Sequence, residues 1–330
     1  MTSALTTTDM SGLDVLHRVE LSDHERGVVV ALADELVRTC PSLVDDPTWL
    51  RHARQLSCSL PARLLTAIRQ YRHDSGVDGT LSVANLPVAE GALPPTPDVQ
   101  DSVERAATVP AATAMLLALQ LGEVIAYRDE KHGALVQNVV PIRSLERSQS
   151  NGGSVPLEFH TENAFHPNRP DYIGLLCLRG AREEVGTLVS AVRRALPLID
   201  ESDLAKLRTP HFITSPPPSF HAGGRTIPHP IIEGSETDPN LRVDFNATAP
   251  VDDEAAGALD RLRDAMMDVR ATLILRPGQM VFIDNRVNVH GRGPFTPRYD
   301  GTDRWLHRVF VHLDNRRSRG HRPGNGSVLT

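Results

Sequence analysis

From residue 122 onward the chain is a succession of short β-rich runs separated by turn residues, and this pattern limits the fold more than any other feature. The runs are 123–127, 134–141, 172–178, 186–190, 210–214, 241–245, 272–276, 279–283 and 305–313. Gly152-Gly153, Pro216-Pro217-Pro218 and Pro277-Gly278 punctuate them, supplying bends that strand residues disfavour. Helical stretches interrupt only near 190–207 and 253–270. Many short strands with few helices between them predict a mainly β protein with a jelly-roll or barrel core. A parallel α/β sheet would need a helix after nearly every strand.

The first third reads differently. Ser22-Asp23-His24-Glu25 has capping-box spacing and predicts a helix to about Arg38. Further helices are expected near 59–72 and 99–120; the second holds Ala111 to Leu119, apolar on every side and therefore buried. Residues 1–20 are polar and expected to fray. No repeat and no long linker divides the 330 residues. The expectation is one domain over 1–330, mostly helical over 1–121, with the β core over 122–330 and a lid near 210–235.

Charge and cysteine content exclude several classes. A net charge of −6 carries no basic stripe for nucleic acid, and the run Arg316-Arg317-Ser318-Arg319 reads as a solvated tail. Cys40, Cys58 and Cys177 are odd in number and widely spaced, against a disulfide framework. Cys177 lies in an apolar run and reads as a small core residue. There is no signal-peptide pattern at Met1–Met10 and no window of about 20 apolar residues. A soluble cytoplasmic protein without membrane or nucleic-acid partners is expected; the sequence sets no oligomeric state.

Among fourteen histidines, His160 stands out. It ends a predicted strand, and Glu162 follows two residues later. In extended chain, i and i+2 point to one side, so the pair can offer a nitrogen and an oxygen to one ion. The spacing is common by chance, and a third ligand must come from elsewhere. Residues 275–290 read as a Pro-Gly turn, an apolar strand, an Asp-Asn turn and a second strand ending in His290, a hairpin that would hold a histidine rigidly. Two histidines and one carboxylate leave open positions, the arrangement of non-haem iron(II) oxygenases. Arg304, fourteen residues after His290, could clamp a dicarboxylate through its guanidinium fork, or pair at the surface with Asp303 or Asp300.

The run LEFHTENAFHPNRPDYIGLLCL (157–178) resembles the iron-binding segment of the clavaminate synthase-like 2-oxoglutarate oxygenases. PGQMVFIDNRVNVHGRGPFTPRYDGTDRWLHR (277–308) resembles that family's second iron-binding segment, and similarity extends over nearly the whole chain. The resemblance implies a double-stranded β-helix, iron(II) held by His160, Glu162 and His290, and 2-oxoglutarate and dioxygen as co-substrates. It implies that Arg304 binds the distal carboxylate of 2-oxoglutarate with help from Thr187. It implies that Arg308, assisted by Ser150, holds a substrate carboxylate. Members of the branch that the HTE-x-AF motif points to hydroxylate free L-amino acids, arginine and lysine especially, in bacterial natural-product pathways. Glu162 favours hydroxylation, because related halogenases lack that carboxylate.

For the substrate's α-amine, Glu162 and Glu130 are candidates, although Glu130 also reads as a turn residue on the solvent face. Alternation over 241–246 would put Asp244 and Asn246 on one face toward the substrate side chain; an Asp/Asn turn at a strand end is the other reading. Arginine-hydroxylating relatives have a second acid where this chain has Asn246. One acid with one amide suits a side chain carrying less positive charge, or a urea or amide, so lysine, arginine and citrulline-like substrates stay open. Other outcomes for such a chain are a carrier-tethered substrate, desaturation or ring closure, or a non-oxidative metal-binding jelly-roll.

Overall fold

The computed structural model describes residues 17–181, 183, 185–217, 220 and 227–330. The order begins β1 (Arg18–Glu20), α1 (Asp23–Arg38), α2 (Pro47–Ser57), α3 (Ala62–His73), β2 (Thr80–Ala84), β3 (Val103–Glu104), α4 (Val109–Leu121), β4 (Glu123–Tyr127) and β5 (Val136–Val139). It continues β6 (Leu157–His160), β7 (Tyr172–Arg179), β8 (Thr187–Ala191), α5 (Val192–Ala195), α6 (Glu201–Leu207), β9 (Phe212–Thr214), β10 (Ile232–Gly234), β11 (Pro239–Leu241) and β12 (Thr248–Pro250). It ends α7 (Asp253–Asp268), β13 (Ala271–Leu273), β14 (Met280–Asp284), β15 (Asn288–Arg292), β16 (Trp305–His312) and β17 (Val328–Leu329). Among the described residues no helix is long and apolar enough to cross a membrane.

Two sheets dominate. The larger runs β1-β2-β14-β7-β16-β4-β17, with β5 joining β16 to β3; the smaller runs β13-β8-β15-β6. Side-chain alternation sorts the core. Leu306 and Phe310 of β16 join Ile173, Leu175 and Cys177 of β7, together with Val189 of β8 and Leu273 of β13, in a cluster drawn from both sheets. The opposite face of the larger sheet, with Leu176, Phe282, Val309 and Val311, packs on the helices of the first third. Phe159 and Val289, on the outer face of the smaller sheet, pack on Leu259, Leu262 and Met266 of α7. Helices, larger sheet, smaller sheet and helices therefore stack as four layers. Each fully buried leucine or phenylalanine contributes about 1.5–3 kcal/mol.

Helix starts follow local chemistry. The Ser22 capping box forms: Ser22 Oγ accepts from Glu25 N at 3.3 Å, and Glu25 Oε2 accepts from Ser22 N at 2.8 Å. It contributes about 1 kcal/mol. The helix expected over 99–120 begins only at Val109. Pro110 is tolerated in a first turn but not inside a helix, Thr108 caps it, and the preceding stretch is extended with β3. α2 was not expected, although Asp46-Pro47 is an N-cap followed by proline at the first helical position.

Other expectations change too. The 241–245 run is not a strand beyond Leu241; it holds a single bridge between Asp244 and His160. The run 316–319 keeps Arg316, Arg317 and Arg319 exposed to solvent, but it is anchored and not a free tail: Ser318 is fully buried and Arg317 Nη1 meets Asp171 Oδ1 at 2.9 Å. Val328–Leu329 then adds to β4 as a parallel edge strand. Of the stretch 1–20 expected to fray, Arg18–Glu20 is instead β1 and pairs with β2; residues 1–16 lie outside the described residues. The expected lid near 210–235 falls partly on 218, 219 and 221–226, which also lie outside them.

Candidate active site

His160 is the last residue of β6 and pairs in register with His290 of β15. Directly opposed residues project side by side, and the two imidazole centroids lie 4.3 Å apart. Glu162 sits two residues beyond β6. Ligand atoms of His160, Glu162 and His290 all lie within 4.8 Å of one another. The predicted hairpin, however, is not one: β14 lies in the larger sheet and β15 in the smaller, so the Asp-Asn turn is a crossing between layers. β15 also continues two residues past His290.

That crossing holds Glu162. Asn285 Oδ1 accepts from Glu162 N at 2.8 Å, and Asn285 Nδ2 donates to Glu162 O at 3.1 Å and to Pro170 O at 2.8 Å. The motif showed a turn at Asn285, but not that its amide would reach back to the carboxylate's backbone. Asn285→Ala is expected to weaken divalent-cation binding about 10–100-fold while leaving the circular dichroism spectrum unchanged. Unaltered affinity in a metal titration would remove Asn285 from the site.

The triad has the chemistry of a metal site. His160 Nδ1 faces the Glu158 carbonyl at 2.9 Å, and since a carbonyl only accepts, Nδ1 carries the proton and Nε2 keeps its lone pair. Burial, and then the neighbouring His160, push the His290 pKa down to about 4, so its ring is neutral near pH 7. His290 Nε2 and Glu162 Oε2 stand 3.3 Å apart, yet Oε2 makes no hydrogen bond. A buried carboxylate oxygen without a donor, beside two imidazoles, fits a divalent cation.

Arg308 backs the carboxylate. Its Nη1 donates to Glu162 Oε1 at 2.9 Å, its Nε to Gln137 Oε1 at 3.1 Å, and its Nη2 to Glu130 and Gln137. Burial alone would raise the Glu162 pKa, but Arg308 and His290 hold it well below the usual carboxylate range. Glu130 shifts the other way, because burial outweighs Arg308 there. Glu130 does occupy a turn, but it faces inward, with its side chain 17% exposed and Asn163 Nδ2 at 3.2 Å. The fork expected to meet a substrate carboxylate is thus committed to protein acceptors. Gln137, opposite Arg308 on β5, was missed; its Nε2 is buried and unbonded.

Arg304 precedes β16 and is 8% exposed; its Nη2 donates to Thr187 Oγ1 at 3.0 Å. Among the described residues it has no acidic partner, so the surface pairing with Asp303 or Asp300 is not formed: Asp303 Oδ1 instead accepts from Arg298 N, and Asp300 faces Arg298. A buried guanidinium beside a hydroxyl has the chemistry to receive an anion.

A cavity of about 370 Å³ opens over this centre. His160, Glu162, Glu130, Ser150, Asp244 and Asn246 are among its lining residues. Ser150 Oγ is buried without a partner. Asp244 takes the turn reading while still facing the cavity: its Oδ1 accepts from Asn246 N at 2.9 Å and Ala247 N at 3.0 Å. Phe220, also lining the cavity, packs edge-on against Phe165 at 4.7 Å, a contact no spacing rule would reveal.

The taurine catabolism dioxygenase TauD, TfdA family model matches residues 105–310. The chain is 45% identical to an L-asparagine oxygenase of Streptomyces coelicolor over 313 residues, 94% of each protein. It is 34% identical to clavaminate synthase 2 of Streptomyces clavuligerus over 296 residues, 88% of this chain and 90% of that one. A solved structure of an asparagine oxygenase in complex with Fe(II), 2S,3S-3-hydroxyasparagine and succinate superimposes with a TM-score of 0.93, at 45% identity, over 95% of this chain and 99% of that one.

Proposed function

Because the chain belongs to the taurine catabolism dioxygenase TauD, TfdA family, we propose that it is an iron(II)- and 2-oxoglutarate-dependent hydroxylase of a free L-α-amino acid whose side chain ends in an amide, asparagine foremost. The observation that carries this reading is the convergence of His160, Glu162 and His290 beside a cavity where Asp244 and Asn246, from one turn, offer an acid and an amide side by side. We take the two facing sheets as the layers of a jelly-roll, and residues 1–330 as one oxygenase domain.

His160, Glu162 and His290 hold the iron, and Arg304 with Thr187 holds the distal carboxylate of 2-oxoglutarate. When bound, iron(II) with 2-oxoglutarate and dioxygen supplies the oxidising chemistry that turns a C–H bond of the amino acid into C–OH, with succinate and carbon dioxide as the other products. The chain's part is placement. The substrate α-carboxylate takes Arg308 from Glu130, with Ser150 Oγ and Gln137 Nε2 as further donors. Glu130, released, meets the α-ammonium with Glu162 nearby. Asp244 Oδ2, which the turn leaves free, accepts from the side-chain amide, and Asn246 donates to its carbonyl. Phe165 and Phe220 wall the cavity against water.

Charge decides between side chains. A guanidinium or ammonium beside Asp244 and Asn246 would meet one carboxylate there, the other lining acids being the exposed Glu158 and the Arg308-bound Glu130 and Glu162, whereas an amide satisfies Asp244 and Asn246 without bringing a further charge. Asparagine is therefore expected to exceed arginine and lysine by about 100-fold or more in kcat/KM. The measurement is an amino-acid panel with iron(II), 2-oxoglutarate and oxygen, read by mass spectrometry for products one oxygen heavier. Turnover confined to apolar amino acids, or succinate formed with no hydroxylated product, contradicts the proposal.

A further inference from the structure

We propose that Arg292 is a second guanidinium of the anion pocket and positions the distal carboxylate of 2-oxoglutarate together with Arg304; this rests on the assignment of Arg304 made above. The geometry converges on Thr187. Arg292 of β15 pairs in register with Thr187 of β8, so their side chains stand on the same face of the smaller sheet. Arg304 reaches that threonine from β16's side, donating to its Oγ1 at 3.0 Å. Arg304 thus bonds to the Thr187 hydroxyl while Arg292 stands beside that threonine on the neighbouring strand.

Both cations are buried, Arg292 at 5% exposure and Arg304 at 8%. Neither meets an acidic side chain among the described residues. Arg292 Nη1 donates to Asn151 O at 3.3 Å and Nη2 to Val155 O at 3.2 Å, and its guanidinium carbon lies 5.1 Å from the Phe295 ring centroid. Its Nε is buried and makes no hydrogen bond. Carbonyl dipoles and a ring face only partly offset the desolvation of a full charge, and a like charge nearby adds to the cost. An arginine guanidinium stays protonated near neutral pH. A carboxylate entering beside Thr187 supplies the anion that the surrounding protein omits. Arg292 also ties the 151–155 segment, next to Ser150, to the strand that carries His290. It is thereby a positioning residue for a dicarboxylate co-substrate.

The test is equilibrium binding to the iron(II)-loaded protein under anaerobic conditions. Two probes are used: 2-oxoglutarate, and 2-oxovalerate, which has the same chain length without the distal carboxylate. Arg292→Gln is expected to weaken 2-oxoglutarate about 10-fold or more and to leave 2-oxovalerate unchanged. Arg292→Met, which removes the buried charge without a polar stub, is expected to give the same selective loss if the glutamine variant does not fold. Equal weakening of both probes assigns Arg292 to the architecture of the 151–155 segment and overturns the proposal, as does no weakening of either. Arg304→Met separates the two levels. If it too leaves 2-oxoglutarate binding intact, the assignment of the pocket itself fails; if it abolishes binding while the Arg292 variants do not, only Arg292 is removed from it.

Discussion

Glu162→Ala is expected to cut amino-acid hydroxylation by roughly 10³-fold or more and to weaken iron(II) binding in the same variant. Glu162 brings the only negative charge among the three proposed ligands, and its Oε2 is buried without another partner. Alanine leaves two neutral imidazoles and a vacant corner. It also strips Arg308 Nη1 of its 2.9 Å acceptor, so a cation is left beside the place where a dication must sit. Both changes act against metal retention. Product formation by mass spectrometry and iron(II) titration under anaerobic conditions measure the two losses separately. Normal turnover by the variant would withdraw the ligand assignment.

Arg308→Leu is expected to destabilise the metal-free protein by about 3–5 kcal/mol. Arg308 is 2% exposed and holds two carboxylates, Glu162 and Glu130, together with the Gln137 amide oxygen. Leucine leaves two acids facing each other, with only the neighbouring Lys131, whose ammonium is bonded to the Ser102 and Asn138 carbonyls, to offset them. With an unfolding entropy of about 2.1 cal/mol/K per residue, that loss lowers the melting midpoint by roughly 4–7 °C. Arg308→Leu combined with Glu130→Leu is expected to recover part of it, since one of the stranded charges goes too. A single variant that melts with the wild type would show that the network carries no net stability.

Local chemistry made much of this legible. The capping box at Ser22 and the apolar Ala111–Leu119 run became buried or capped helix as read, because both are set within one turn of chain. His160-x-Glu162 was readable because extended backbone fixes where i and i+2 point. What escaped depends on partners far along the chain. Pattern alone joined β14 and β15 into a hairpin, since an apolar strand, a turn and another strand look the same whether the second stays in its sheet or changes layer. Glu130 looked solvent-facing because its turn is polar; Arg308, 178 positions away, turns it inward. Arg316–Arg319 looked like a tail because charge runs usually are, and Asp171 was the unforeseen partner. Asp244 and Asn246 reached the same cavity through a turn and not through strand alternation.

The change of layer between β14 and β15 bears on the order in which the molecule is assembled. Glu162 and Asn285 are 123 positions apart, and His160 meets His290 only when β6 and β15 have paired. Closing loops of that length is slow, and no local segment holds all three proposed ligands. A partly folded chain with its helices formed and only the larger sheet laid down has no complete cation site, because β6 and β15 pair in the smaller one. Metal therefore stabilises the finished protein and not its precursors, so that iron supply during synthesis shifts the balance between completed chains and late intermediates without altering how the early helices form.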